Sequence, residues 1–161
     1  MKKEMYIVLH NIRSLHNVGA IFRTADGAGV KKIFLTGYTA EPVDVLGRVK
    51  KEIAKTALGA EKTIAWEKHQ NITTLLKKLK NNYRHSVSIV GVEKDVKGIE
   101  ATNYKKLKLE YPVAFVFGNE VKGLSKKVLE RCDDIIEIPM RGKKKSLNVS
   151  VVVGVILFHF V

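Results

Sequence analysis

The sequence predicts an α/β domain with a mostly parallel sheet flanked by helices. Short runs rich in Val, Ile and Phe alternate along the chain with segments in which apolar residues recur at helical spacing. Several of the short runs are apolar at nearly every position, which is typical of strands covered by helices on both faces. Strands that alternate with helices favour parallel pairing, because parallel neighbours need a crossover connection.

Six strands are predicted from the β-branched and aromatic runs. They are Met5–His10, Lys32–Thr36, Thr63–Trp66, Ser86–Val92, Val113–Phe117 and Ile135–Ile138. Five helices are predicted from apolar periodicity and from the residues at their ends. They are Asn17–Gly27, Val49–Leu58, Ile72–Asn81, Ser125–Cys132 and Ser146–Phe160. No repeat or linker-like segment interrupts this series, so we expect one domain over residues 1–161.

Basic residues dominate the composition, with 29 Lys and Arg against 16 Asp and Glu and a net charge of +13. A surface this positive favours a polyanionic partner, most simply a nucleic acid. The single cysteine, Cys132, excludes an internal disulfide and a cysteine zinc cluster and favours a reducing, cytoplasmic setting. No histidine pair has the spacing of metal ligands, so we expect no metal. The apolar stretch 146–161 is shorter than the ~20 residues that span a bilayer, so we expect no membrane partner.

The first motif follows the first predicted strand. Asn17 is placed to cap the next helix, and the apolar stripe of that helix consists of Val18, Ile21, Phe22 and Ala25. Arg23 lies on the opposite side of this helix, behind the strand end where open α/β sheets bind ligands. A solvated arginine and a merely capping asparagine are the alternative interpretation of these two polar residues.

Two later segments share a plan of strand, loop and helix. In the first, Gly118 would let the backbone approach a ligand closely, and Glu120 lies in the loop at the carboxyl end of the strand. In the second, the amides near Ser146 would begin a helix able to hold an anionic or polar group. The alternatives are a structural carboxylate for Glu120, accepting from loop amides, and a capping role alone for Ser146 and Asn148.

Together the three segments resemble the SPOUT superfamily of methyltransferases, specifically its SpoU/TrmH branch of RNA ribose 2′-O-methyltransferases. The pattern comprises Asn17, Gly19 and Arg23, then Gly118-Asn119-Glu120 with Gly123-Leu124-Ser125, then Ile138-Pro139-Met140 with Ser146-Leu147-Asn148-Val149-Ser150. It extends from near residue 11 to residue 150 and covers almost the whole chain. Three ordered motifs on matching elements are far more specific than one glycine-rich turn.

The resemblance implies S-adenosylmethionine as the methyl donor, a homodimer, and a deep trefoil knot near the C-terminus that forms the cofactor pocket. The implied cofactor contacts, largely through the backbone, are at Val92, Gly118, Ile138, Met140 and Leu147. The implied active-site residues are Asn17, Arg23, Glu120, Ser146 and Asn148. The implied reaction is methylation of a ribose 2′-hydroxyl in tRNA or rRNA.

A ribose hydroxyl is a poor nucleophile until its proton leaves, so the site must both position and activate it. Arg23 cannot act as an ordinary base, because a guanidinium stays protonated at physiological pH. We expect Arg23 to fix the neighbouring phosphate and to stabilise the developing alkoxide. The proton then passes to the phosphate or to Glu120.

Three consecutive lysines lie in the loop before the last helix. We expect contacts with RNA phosphates from Lys143, Lys144 and Lys145, together with Arg13 and Arg141. A solvated loop is the ordinary alternative for such a charge run. The last helix is apolar on nearly every side, which favours cover from a second subunit, although a core within one chain would also cover it.

We expect a minimal catalytic domain over residues 1–161 without the terminal RNA-binding extension that relatives acting on tRNA often carry. A non-catalytic, basic RNA-binding relative of the same superfamily is the alternative function. A base methyltransferase from another SPOUT branch is a third. The presence of Arg23, Glu120, Ser146 and Asn148 together favours the enzyme, because RNA binding alone does not require that set.

Overall fold

Seven parallel strands form one sheet in the computed structural model, which describes residues 3–82 and 86–161. The strands are β1 (Met5–His10), β2 (Lys32–Thr36), β3 (Trp66–His69), β4 (Ser88–Val92), β5 (Thr102–Asn103), β6 (Val113–Phe117) and β7 (Asp134–Glu137). Their order across the sheet is β3-β2-β1-β6-β4-β7-β5, and every neighbouring pair is parallel. The predicted α/β fold with a mostly parallel sheet is confirmed.

Helices cover both faces of this sheet. Over the described residues they are α1 (Leu15–Gly27), α2 (Lys51–Ala57), α3 (Ala60–Thr63), α4 (Ile72–Asn82), α5 (Lys126–Leu129) and α6 (Val149–Phe160). Helices α1, α2, α3 and α6 share one core with the sheet, and α4 and α5 share the core on its other face. None of these helices is long and apolar enough to cross a membrane.

The continuous apolar runs are explained by the two cores. Successive side chains of a strand point to opposite faces, so Ile7 and Leu9 of β1 pack on the side of α1 and α6. Tyr6 and Val8 of the same strand pack on the side of α4. Every residue of β6, which lies next to β1 in the middle of the sheet, is buried. A polar residue in either strand would therefore lose its water on whichever face it pointed to.

Helix α1 begins two residues earlier than predicted, and Ser14 rather than Asn17 caps it. The Ser14 hydroxyl accepts a hydrogen bond from the backbone N–H of Asn17 at 3.2 Å. The prediction that Asn17 caps this helix is wrong, because a serine three residues upstream, an equally favoured cap, starts the helix first. The predicted buried stripe of α1 is confirmed, with Val18, Ile21, Phe22 and Ala25 fully buried.

Strand β3 lies three residues later than the predicted Thr63–Trp66, because residues 60–63 form helix α3. As an edge strand, β3 tolerates charged residues that a central strand excludes. Glu67 accepts from the Lys32 ammonium on neighbouring β2 at 2.6 Å. The two residues of β5 are too few for any periodicity, and that strand was absent from the sequence prediction.

The two C-terminal helices are shorter than predicted. Helix α6 begins at Val149 rather than Ser146, and the Asn148 side chain caps it by accepting from the N–H of Ser150 at 2.9 Å. Residues 141–148 are all exposed, so Ser146 belongs to a loop. Ser125 occupies the cap position of α5 without a side-chain capping bond, and that helix ends at Leu129.

Gly19 marks a close approach of α1 and α2. A Cβ at this position would lie 2.2 Å from both the Ile53 carbonyl oxygen and the Thr56 hydroxyl. We expect Gly19→Ala to lower the free energy of unfolding by about 1–3 kcal/mol, because α2 must shift to admit the methyl group. Urea denaturation measures the change.

The matched control for Gly19→Ala is Gly154→Ala in α6. Its Cβ would meet only the Thr24 methyl group, at an ordinary distance of 3.8 Å. This substitution should leave stability unchanged or raise it by up to about 1 kcal/mol through helix propensity. Equal stabilities for the two variants would contradict the described packing of α1 on α2.

Candidate active site

A pocket of about 180 Å³ lies at the carboxyl edge of the sheet, the edge at which open α/β sheets bind ligands. The loops that follow β4, β6 and β7 line it, together with the first turn of α6. All five residues predicted to contact a cofactor lie in its wall, namely Val92, Gly118, Ile138, Met140 and Leu147. Three segments far apart in the sequence therefore meet at one concave surface.

Glu120 joins the loop after β6 to the loop between β1 and α1. Its carboxylate accepts from the backbone N–H of Arg13 at 3.0 Å and from that of Ser14 at 3.0 Å. The Asn17 side-chain amide donates to the same carboxylate at 3.2 Å. Glu120 thus binds the backbone just before α1, and it also lines the pocket.

The pKa of Glu120 reflects two opposing effects. Partial burial raises it, but the hydrogen bonds from the N–H groups of Arg13 and Ser14 and from Asn17 favour the ionised form and outweigh the burial. The pKa is therefore lowered overall. A carboxylate that accepts several hydrogen bonds and holds its proton weakly is a poor proton acceptor, so the geometry favours the structural interpretation of Glu120.

Four of the five predicted catalytic residues converge at this edge of the sheet. Asn148 Nδ2 donates to Asn17 Oδ1 at 3.2 Å, and Asn17 in turn donates to Glu120. Ser146 lines the pocket directly. A short polar chain therefore connects the cap of α6, the first turn of α1 and the loop after β6.

Arg23 does not join this group within one chain. It lies in a separate recess with Lys55 of α2 and Phe158 of α6. Arg23 is nine residues beyond the cap of α1, which corresponds to about 13 Å along the helix axis. The expectation that Arg23 projects into the site from behind the strand end is therefore wrong for an isolated subunit.

Gly118 is required by the chain's own backbone. A Cβ there would lie 2.6 Å from the Gly123 carbonyl carbon and 2.7 Å from the Leu124 nitrogen. Residues 123 and 124 of the same loop therefore make a close approach to Gly118, which also lines the pocket. Glu93, at the end of β4, fixes that return by accepting from the Leu124 N–H at 2.7 Å.

Asn119 belongs to the second sequence motif and holds the loops at this edge of the sheet together. It is buried, and its side-chain amide donates to the Asn11 carbonyl at 3.0 Å and to the Tyr38 hydroxyl at 2.8 Å. Its Oδ1 accepts from the N–H groups of Val121 and Lys122 at 3.0 and 2.7 Å. A polar residue close after an apolar strand is the signal that the sequence offers for Asn119, whereas its partners in two other segments cannot be read from the sequence.

The basic residues predicted to contact RNA surround the pocket on exposed loops. Lys143, Lys144, Lys145 and Arg141 are exposed in the loop that also supplies Ser146. Arg13 is exposed on the opposite loop, with its backbone held by Glu120. Among residues 3–82 and 86–161, no three His, Cys, Asp or Glu side chains are arranged to hold a metal ion.

Comparison with known proteins gives concordant matches. The pattern of the SpoU rRNA Methylase family matches residues 4–158. The 23S rRNA (guanosine-2′-O-)-methyltransferase RlmB of Haemophilus influenzae is 35% identical over 157 residues, which are 98% of this chain and 59% of that protein. A protein titled Putative TrmH family tRNA/rRNA methyltransferase, from Staphylococcus haemolyticus, is 30% identical over 95% of this chain and 56% of its own length.

Two solved structures share the fold. The AdoMet-bound rRNA methyltransferase from Sinorhizobium meliloti has a TM-score of 0.84 and 26% identity, covering 100% of this chain and 58% of that one. The A. aeolicus TrmH/SpoU tRNA modifying enzyme has a TM-score of 0.78 and 31% identity, covering 98% of this chain and 73% of that one. The chain spans about three fifths of the Haemophilus and Sinorhizobium proteins.

We expect Glu120→Gln to destabilise the protein at neutral pH, because a neutral amide is a weaker acceptor for the N–H groups of Arg13 and Ser14. The folded-state pKa of Glu120 is lowered, so its contribution is fully present above the unfolded pKa and is lost as pH falls through the folded value. The stability difference between the two proteins should therefore shrink below pH 4.5, the ordinary glutamate pKa.

Urea unfolding of both proteins across this pH range measures the difference. Glu130→Gln is the control, because Glu130 is exposed and its contact with Lys126 is a distant 4.0 Å. It should change stability little at any pH. A Glu120→Gln deficit that is the same at all pH values would contradict the ionic role.

Proposed function

The chain belongs to the SpoU rRNA Methylase family, and from that membership we propose that it transfers a methyl group from S-adenosylmethionine to a ribose 2′-hydroxyl of RNA. The observation that carries the proposal is the convergence of three sequence-distant motifs on one pocket at the carboxyl edge of the sheet. The exposed basic loop beside that pocket suits a polyanionic substrate. Because the Haemophilus relative is named for guanosine in 23S rRNA, ribosomal RNA is the first substrate to test.

The lining of the pocket fits the proposed methyl donor. Ile138, Met140 and Leu147 offer apolar surface suited to an adenosine group. The carboxylates of Glu120 and Glu137 lie in the same wall and suit a group that carries positive charge. Bound there, S-adenosylmethionine supplies an electrophilic methyl group on a positively charged sulfur.

Ser146 and Asn148 are the residues we assign to the ribose. Both lie in the exposed loop between the pocket and α6, within reach of a substrate that approaches from solvent. Asn148 is held on one side by Asn17 and on the other by its capping bond to Ser150. A side chain fixed in this way can orient a hydroxyl with little further loss of entropy.

We further propose that the active unit is a homodimer and that each pocket receives Arg23 from the second subunit. An exposed apolar stripe on α6 supports this, with Val151 49% and Phe158 57% exposed. An exposed apolar stripe of this kind is typical of an interface, and Arg23 lines the same recess as Phe158. A two-fold interface on this stripe carries Arg23 towards the partner and away from its own pocket.

In this arrangement Arg23 acts through the positive charge of its guanidinium group and through the N–H donors that this group presents in one plane, here called its planar fork. It binds the phosphate next to the target ribose and stabilises the alkoxide that develops as the hydroxyl loses its proton. The Glu120 carboxylate already accepts hydrogen bonds from Arg13, Ser14 and Asn17, so the proton is assigned on geometry to the RNA phosphate, which lies beside the reacting hydroxyl. Arg13, Arg141, Lys143, Lys144 and Lys145 contact phosphates further along the RNA. If ribosomal RNA is the substrate, the protein acts in the cytoplasm.

The trefoil knot is also a proposal for this chain. The order of the strands supports it, because the chain passes from β4 to the edge strand β5 and returns to β6 on the other side of β4. It then enters β7, between β4 and β5. The loops that follow β4, β6 and β7 are interleaved in this way around one pocket.

The activity is tested by incubating the protein with labelled S-adenosylmethionine and total ribosomal RNA, followed by nucleoside analysis. We expect a 2′-O-methylated nucleoside, and we expect Arg23→Lys to lower its formation at least tenfold (roughly), because lysine keeps the charge but lacks the fork. Arg131→Lys, a second arginine that lies outside the site, serves as control and should retain activity. Methyl transfer by Arg23→Lys at the wild-type rate would contradict the role of the fork. RNA binding without any methyl transfer by the wild-type protein would favour a non-catalytic binding protein.

The shared site is tested by mixing two inactive variants, Arg23→Ala and Asn148→Ala. If Arg23 acts across the interface, each mixed dimer contains one intact site, and an equal mixture should regain about a quarter of wild-type activity. If Arg23 acts within its own subunit, every site in the mixture lacks one residue and no activity returns. Mixing each variant with itself gives the baseline.

A further inference from the structure

Tyr38 presents an exposed aromatic ring at the edge of the sheet that carries the pocket. It is the second residue after β2 and is 58% exposed. Among the described Phe, Tyr and Trp residues, only Tyr38 and Phe158 expose more than half of their surface. Phe158 lies on the apolar stripe of α6, whereas Tyr38 lies among polar and basic residues. Its exposure therefore needs a separate explanation.

Tyr38 is held by one hydrogen bond to its side chain and by another from its backbone. Its hydroxyl accepts from the Asn119 amide at 2.8 Å, and its backbone N–H donates to Asn11 Oδ1 at 3.1 Å. No other described aromatic ring stacks on it. The ring is consequently fixed in position while its surface stays accessible.

The backbone on both sides of Tyr38 is fixed as well. The Lys68 ammonium donates to the carbonyls of Gly37 and Thr39 at 2.6 and 2.5 Å. Gly37 adopts a positive φ of 61°, a conformation in which a Cβ would overlap Asn11 Oδ1. Thr39 is fully buried. A ring carried by such a segment loses little conformational freedom when a ligand binds to it.

Tyr38 is connected to the wall of the pocket through one residue, Asn119. Its partner Asn119 lines the pocket and precedes Glu120 in the loop after β6. The positive charge of Lys68 lies beneath the same turn, where it attracts the phosphates of an approaching RNA. A fixed, exposed ring beside a nucleotide site and a half-buried cation is an arrangement that suits the stacking of unpaired bases in RNA-binding proteins.

We propose that Tyr38 is a stacking site for an unpaired nucleobase adjacent to the nucleotide in the pocket. This inference rests on the proposed function. It specifies that the bound part of the RNA substrate is a single-stranded or looped segment. The Tyr38 hydroxyl is already bonded to Asn119, so recognition occurs through the face of the ring and selects unpaired bases in general. Stacking at this point holds the neighbouring ribose against the pocket.

The test measures the affinity of the full chain for a single-stranded RNA of about 12 nucleotides and for a duplex of the same length. We expect Tyr38→Ala to bind the single strand about tenfold more weakly, and Tyr38→Phe to bind it like the wild type. Duplex affinity should be the same for all three proteins. The dependence of affinity on salt should not change in Tyr38→Ala, because no phosphate contact is removed.

Leu46→Ala is the matched control, since Leu46 is 71% exposed in the same connection between β2 and α2. It should bind both RNAs like the wild type. Wild-type affinity in Tyr38→Ala would overturn the proposal. Equal losses in Tyr38→Phe and Tyr38→Ala would also overturn it, because they would assign the effect to the bond with Asn119. A change of oligomeric state in Tyr38→Ala would assign the ring to a subunit interface instead.

Methyl transfer by the wild-type protein is measured separately, so that the two proposals fail differently. If no methyl group is transferred but Tyr38→Ala still weakens single-strand binding, the proposed activity falls and the stacking site stands. If transfer occurs and Tyr38→Ala changes neither affinity nor rate, the activity stands and the stacking site falls. Absence of RNA binding by the wild type overturns the stacking site.

Discussion

The site depends on two adjacent polar residues at the end of β6 that bind the end of β1. Asn119 donates to the Asn11 carbonyl, and Glu120 accepts from the N–H groups of Arg13 and Ser14. These bonds fix the start of α1 relative to the loop that lines the pocket. Because Asn17 and Asn148 extend the same chain of hydrogen bonds, the last helix is positioned by it as well.

The parallel sheet brings these loops together, and buried polar groups hold them there. All strands end at the same edge, and the hydroxyls of Thr36 and Thr39 both donate to the Leu9 carbonyl where the chain leaves the sheet. Burial lowers the pKa of His10, whose Nδ1 lies 2.9 Å from the Thr36 hydroxyl. Among the described residues, every buried side-chain nitrogen or oxygen has a partner. These bonds fix the chain after β2 to the end of β1 at the edge of the sheet that carries the pocket.

Local patterns in the sequence predicted the strands that are buried on both faces, and the bounds of β1, β2 and β6 agree with the structure. The five cofactor residues came from the resemblance to a family, and the structure places all five in the wall of one pocket. The differences have two sources, which are local choices between similar residues and relations between segments. The need for glycine at Gly118 arises from the return of the same loop, and the cap of α1 was decided between Ser14 and Asn17, two residues of similar propensity. The position of Arg23 depends on the length and direction of a helix, which spacing along the sequence does not give.

The pairing of β1 with β6 has a consequence for how the protein is made. Arg13, whose N–H donates to Glu120, is 107 positions earlier in the chain, and β1 has no neighbour on that side until β6 has been synthesised. Contacts between such distant segments slow folding, because the loop between them must close before the contact stabilises anything. The N-terminal strand leaves the ribosome long before its central partner. The pocket is consequently among the last parts of the molecule to assemble, and β1 depends on its earlier pairing with β2 to stay out of aggregates in the interval.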